Sequence, residues 1–212
     1  MKTHIITKDQ LDKDNYYIGS VDLSYFDGHL ESEKNLGYVK FKRGLAVTGY
    51  IVFRPGSGIE AGWGIKAGLS IESGMGIEAG WGIKSGEGIE AGLSIESGMG
   101  IEAGWGIKSG MGIKSGLSIE SGEGIEAGEG IECKGVLSFA KRLFAGTSVY
   151  QDTTAEIKTV ICGKIKGGVV CYGDVTETGV PQEKSPTVVI SEGDNKAQAI
   201  EKLEAALAIL RA

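Results

Sequence analysis

The chain has 212 residues, 36 glycines, three prolines and a formal charge of −6. Collagen, which needs glycine at every third place and abundant proline, is excluded, and the acidic balance argues against electrostatic nucleic-acid binding by the chain as a whole. No run approaches the length of a bilayer-spanning helix, the polar start MKTHIITKDQLDKDNYY has no signal-peptide core, and Cys133, Cys162 and Cys171 form no framework spacing, so a cytoplasmic protein is expected.

Residues 1–40 read as N-terminal capping strands. VDLSYF (21–26) and LGYVKF (36–41) alternate apolar and polar residues, with DGHLESEKN between them and His29 as a surface turn residue. A cap is expected because an uncovered repeat end exposes sheet edges that invite polymerisation.

The segment 41–150 carries the main signal. Isoleucine recurs every six residues from Ile59 to Ile131, thirteen times without a miss. The unit is Gly/Ser-Ile-Glu/Lys-Ala/Ser-Gly-x, with x being Trp, Leu, Met or Glu. Stepping by six extends the phase back to Phe53, Val47 and Phe41, and forward to Leu137, Leu143 and Val149. A flexible linker has no reason to hold such a register. A period of six fits neither a helix nor a meander of hairpins, but it fits a parallel β-solenoid with one hexad per side. Within Ile-Glu-Ala the side chains alternate in, out, in, and Gly-x-Gly turns the corner, where glycine reaches backbone angles closed to other residues. The fold class is therefore all-β, a parallel β-solenoid with β-strand caps and a C-terminal α-helix. Long amphipathic strands are the rival, but they require turn signals every eight to twelve residues that are missing.

The unit resembles the hexapeptide-repeat parallel β-helix superfamily, and more closely the Gly-Ile-Glu/Lys-Ala-Gly repeat proteins of gut bacteria and their prophages. That resemblance implies triangular, left-handed coils of eighteen residues; the copy of residues 67–90 at 91–114 would also suit a flat, two-sided rod of twelve-residue coils. It tilts function toward an inhibitor of a host defence nuclease, of anti-CRISPR type. Many members of the superfamily are acyltransferases with a histidine base. Here His4 and His29 both precede the repeat and no inserted loop interrupts it, so a divergent transferase stays a minor reading.

Residues 151–178 read as a C-terminal cap, with EIKTVICGKIKGGVVCYGDV (156–175) forming two strands joined near Gly167-Gly168. Polar residues 179–193, with two prolines, read as a linker. An amphipathic helix is expected over 194–212, with Asp194 as N-cap and Ile200, Leu203, Leu207 and Leu210 in one stripe. That stripe either docks on its own domain or pairs with a second copy as a homodimer.

No residue set points to catalysis, a cofactor or a metal. The three cysteines read as buried, inert thiols. Two features point to another protein as partner. At the x position Trp63, Trp81 and Trp105 stand among Leu and Met, and on an eighteen-residue coil Trp63 and Trp81 stack with Met99 and Leu117. Exposed apolar rows of this kind mark partner surfaces, unless the flanks fold over them. The second feature is the acidic run Glu120, Glu123, Glu126, Glu129 and Glu132. It reads either as a solvated face or as a decoy for a nucleic-acid-binding groove. The function expected is a non-enzymatic protein-binding scaffold, the alternative being a structural, self-assembling solenoid. Neither direct nucleic-acid binding nor membrane contact is expected.

Overall fold

The structure, a computed structural model, describes residues 1–148 and 158–179. The expected helix with Ile200, Leu203, Leu207 and Leu210 lies outside the described residues, as does the linker beyond Gly179. The described chain winds into a parallel β-solenoid whose three sheets contain nine, seven and eight strands. Among these residues the only helix is the short 3-10 turn Lys8–Gln10.

Each hexad supplies one three-residue strand, and successive strands go to successive faces. The first face contains Ile71–Ser73, Ile89–Ala91 and Ile107–Ser109. The second contains Ile65–Ala67, Ile83–Ser85 and Ile101–Ala103, and the third Ile77–Ala79, Ile95–Ser97 and Ile113–Ser115. Residues eighteen apart are therefore stacked neighbours, as in Ile65, Ile83, Ile101 and Ile119. Every isoleucine from Ile59 to Ile131 is at most 1% exposed. Each contributes about 1.5–3 kcal/mol by leaving water, and only stacking of the coils makes that burial possible. Beside the isoleucine column run the small residues, and where they are serine they are also bonded. The hydroxyl of Ser97 bonds the Trp81 carbonyl at 2.5 Å, Ser109 bonds that of Leu93 at 2.6 Å, and Ser121 that of Trp105 at 2.6 Å. Among the described residues no buried side-chain polar atom lacks a partner.

Both flanks depart from expectation. VDLSYF does not form a strand; only Phe26 makes an isolated bridge, to Val47. LGYVKF does supply a strand, Gly37–Phe41, as expected, and the other two are Lys2–Ile6 and Gly28–Ser32, paired parallel to each other, with Leu30 in register with Ile51. His29 is thus a strand residue. Its ring stacks on Tyr50 at 4.0 Å, and its Nδ1 accepts the Tyr50 N–H. The stepping phase also changes near the start. The corner Arg54-Pro55-Gly56, with Gly56 at φ 77°, adds two residues. Val39, Leu45 and Ile51 therefore continue the isoleucine column. Phe41, Val47 and Phe53 lie over the small residues Ala61, Ala67 and Ser73, and all three are buried.

At the other end, where two strands joined near Gly167-Gly168 are expected, the described residues form more than two. Thr159–Cys162, Lys164–Lys166, Val169–Tyr172 and Asp174–Glu177 are four parallel strands that extend the three faces. Their inward residues Val160, Ile165, Val170 and Val175 step by five, and Val175, in the last described strand, is 43% exposed. Cys133 and Cys162 are buried as expected, whereas Cys171 is exposed because it sits in this last coil.

Candidate protein-binding surface

The residue x of each hexad sits at a corner, so the x side chains form three rows parallel to the axis. Backbone bonds define them: Trp81 N–H to Trp63 O at 3.3 Å, Met99 N–H to Trp81 O at 3.1 Å, and Leu117 N–H to Met99 O at 2.9 Å. Trp63, Trp81, Met99 and Leu117 thus form one continuous apolar row, each side chain about half exposed. The two indoles stack with centroids 5.6 Å apart and planes 10° from parallel. The second row reads Leu69, Glu87, Trp105, Glu123 and Lys141, and the third Met75, Leu93, Met111 and Glu129. Trp105 therefore stands between two glutamates on a different corner and does not join Trp63 and Trp81.

The corners keep x outside because the glycine before it has no room for a side chain. A Cβ on Gly80, Gly98 or Gly116 would overlap the carbonyl oxygen of the glycine eighteen residues earlier. The glycine after x is looser: a Cβ on Gly82 or Gly100 meets nothing nearer than 3.3 or 3.5 Å, and Ser70, Ser94 and Ser118 occupy that place elsewhere. None of the corner glycines from Gly62 to Gly130 has positive φ. Close approach of coils, rather than a special backbone angle, is why the residue before x is glycine.

The outward residue of each strand forms a charge ladder on its face. The first face carries Glu72, Glu90, Lys108 and Glu126. The second carries Lys66, Lys84, Glu102 and Glu120. The third carries Lys40, Glu60, Glu78, Glu96, Lys114 and Glu132. The acidic run Glu120 to Glu132 is consequently a belt around one coil. Glu126, Glu120 and Glu132 stand on the first, second and third faces, and Glu123 and Glu129 on two corners. Lysine tempers it: Lys141 pairs with Glu123 at 2.6 Å and Lys114 with Glu132 at 3.2 Å, while Lys108 is the register neighbour of Glu126. Such exposed pairs contribute little to stability.

The longest run of like charge lies elsewhere, in the ladder Glu60, Glu78 and Glu96, with Lys40 paired to Glu60 at 3.1 Å at one end and Lys114 next to Glu96 at the other. Partial burial, then repulsion from Glu96 and Glu60, pushes the Glu78 carboxyl above its ordinary range, with Lys40 opposing. Stepping the sequence by eighteen rather than reading it linearly would have revealed this ladder.

Other chemistry is sparse. His4 Nε2 meets the Tyr17 hydroxyl at 3.0 Å, and burial lowers the His4 pKa. Burial pushes the Cys133 thiol up to about 12. Among the described residues no cluster of three or more potential metal ligands occurs, and no helix is long and apolar enough to cross a membrane. Compared with protein-family models, with curated proteins and with solved structures, the chain matches none of them.

Proposed function

We propose that the chain is a non-enzymatic, cytoplasmic protein-binding scaffold that engages its partner through the corner row Trp63, Trp81, Met99 and Leu117. One observation carries this reading. Four large apolar side chains stand in line on a rigid edge, each about half exposed, and contiguous exposed apolar surface of this kind marks interaction sites. Tryptophan is the commonest anchor in such sites. The rigidity of the edge favours binding, because side chains already ordered by stacking lose little further freedom. The two histidines are engaged within the N-terminal coils, which fits a scaffold better than a transferase. The full chain and a Trp63→Ser/Trp81→Ser variant, immobilised side by side, test the reading. Stoichiometric protein capture by the parent that is lost in the variant supports it; equal capture by both overturns it.

The narrower reading, an inhibitor of a host defence nuclease, is favoured by the resemblance of the repeat and by the Glu60-Glu78-Glu96 ladder. Three carboxylates at a spacing of about 4.8 Å offer regular negative charge to a basic groove. On this reading a DNA oligonucleotide competes with the captured protein, and Glu60→Gln/Glu96→Gln weakens capture. Capture indifferent to both removes the nuclease while leaving the scaffold.

A further inference from the structure

We infer that the partner seated on this corner is a second copy of the chain, packed face to face and antiparallel through the second face. This rests on the reading of the corner row as a protein-binding surface and names its occupant.

The argument is one of symmetry. Two rods packed face to face are related by a two-fold axis lying in the contact plane, and such an interface must be self-complementary. An axis parallel to the rods sets each outward residue against its own copy, which on every face is a like-charge contact. An axis along the strand direction, midway between the coils of Lys84 and Glu102, reverses the rods and keeps each corner against the same corner of the partner. Lys84 then faces Glu102 of the second copy and Lys66 faces Glu120. Along the corner Trp81 faces Met99 and Trp63 faces Leu117. Four opposite-charge contacts flank a closed apolar seam, and the four face charges are exposed in the single chain.

The same operation is not clean on the other two faces. On the third, Glu60 faces Lys114 and Lys40 faces Glu132, but the central pair is Glu78 against Glu96; on the first, Glu90 faces Lys108 but Glu72 faces Glu126. Only the second face sets opposite charge at each of its four contacts. Like charges placed together cost affinity and exclude the wrong pairing. Within one chain the second face also groups its like charges, Lys66 beside Lys84 and Glu102 beside Glu120. That order has a small cost in the monomer, relieved only at the central Lys84–Glu102 pair at 2.6 Å. Facing an inverted copy, both outer pairs gain opposite-charge neighbours.

Mass in solution tests the inference on the full chain. The parent is expected at twice the 22.2 kDa of one chain. Lys66→Glu/Lys84→Glu makes the four paired positions all acidic and Glu102→Lys/Glu120→Lys makes them all basic; each alone is expected to run as a monomer. Mixed in equal amounts, the two are expected to recover the double mass, a result no folding failure can mimic. A zero-length amine–carboxyl cross-linker adds a positional readout. Lys66 and Glu120 are three coils apart in one chain, about 14 Å, so a Lys66–Glu120 cross-link forms only between chains. A dimer indifferent to both charge reversals, as pairing through the C-terminal stripe predicts, overturns the inference, as does growth into longer oligomers. A monomeric parent that still captures another protein in a Trp63- and Trp81-dependent way removes the second copy and leaves the scaffold standing. Trp-independent behaviour in every assay removes the scaffold itself.

Discussion

Trp63 and Trp81 stack at 5.6 Å and 10° because they are eighteen residues apart on a coil of eighteen. One coil step is about 4.8 Å, so the indoles reach an offset-stacked separation with little adjustment. Trp105 is twenty-four residues beyond Trp81 and lands on the next corner. A double-mutant cycle with alanine is expected to give a Trp63–Trp81 coupling in the lower half of about 0.5–1.5 kcal/mol, since both rings are half in water. The Trp63–Trp105 cycle is expected to be additive within about 0.3–0.5 kcal/mol. Urea unfolding measures both; equal couplings would contradict the assignment of the two residues to different corners.

The two glycines of a corner differ in what they forbid. A Cβ on Gly98 runs into the Gly80 carbonyl, whereas one on Gly100 reaches the Ser118 hydroxyl at an ordinary 3.5 Å. Gly98→Ala is therefore expected to force neighbouring coils apart and cost several kcal/mol, in the range of severe overpacking or beyond. Gly100→Ala is expected to stay within about 0.5 kcal/mol of the parent. Thermal melting of the two variants decides the matter, and comparable losses would show that conformation rather than contact governs the corner.

The column was legible in the sequence because its physics is local and repeated: Ile in, Glu or Lys out, Ala or Ser in. Three features were not. The two-residue excess at Arg54-Pro55-Gly56 is hidden because Phe41, Val47 and Phe53 are themselves apolar and stand at multiples of six from Ile59. Strand Gly28–Ser32 is obscured by a histidine, a glutamate and a serine, which the cap absorbs through the His29–Tyr50 stack and the Tyr50 and Arg54 bonds to Glu31. The row Trp63, Trp81, Met99 and Leu117 follows from stepping by eighteen, whereas the ladder Glu60, Glu78 and Glu96 was hidden for a different reason. Residues 67–90 recur almost unchanged at 91–114, and a copy of twenty-four folded in coils of eighteen scatters identical residues over different corners. Linear neighbours such as Glu120 and Glu123 part, and distant residues such as Glu60, Glu78 and Glu96 meet.

The cysteines divide by depth. Cys133 and Cys162 lie inside the column and burial raises both thiols, that of Cys133 to about 12, so neither offers thiolate to a reagent. Cys171 is exposed in the last coil. A thiol reagent is expected to modify one cysteine in the folded chain and three after denaturation, with Cys171→Ser abolishing the native reaction. Rapid native labelling at Cys133 would mean that the column opens there.

Two glutamates should pull stability in opposite directions with pH. The Arg54 guanidinium and then the Tyr50 hydroxyl hold the Glu31 carboxyl below its ordinary range. Its folded value is depressed, so its contribution is present above the unfolded pKa and is lost as pH falls through the folded one. Glu78 is the reverse case. Burial and the flanking Glu96 and Glu60 raise its folded value, so the fold favours the protonated form. That contribution is full below the unfolded pKa and disappears as pH rises through the raised one. At neutral pH, then, Glu31→Gln is expected to lower the melting temperature and Glu78→Gln to raise it. Both differences should shrink toward zero as pH falls below the carboxylate range, where parent and variants are alike uncharged at these sites. Melting curves at a series of pH values provide the check. A Glu78→Gln variant less stable than the parent at neutral pH would mean that the carboxylate ladder contributes to the fold rather than straining it.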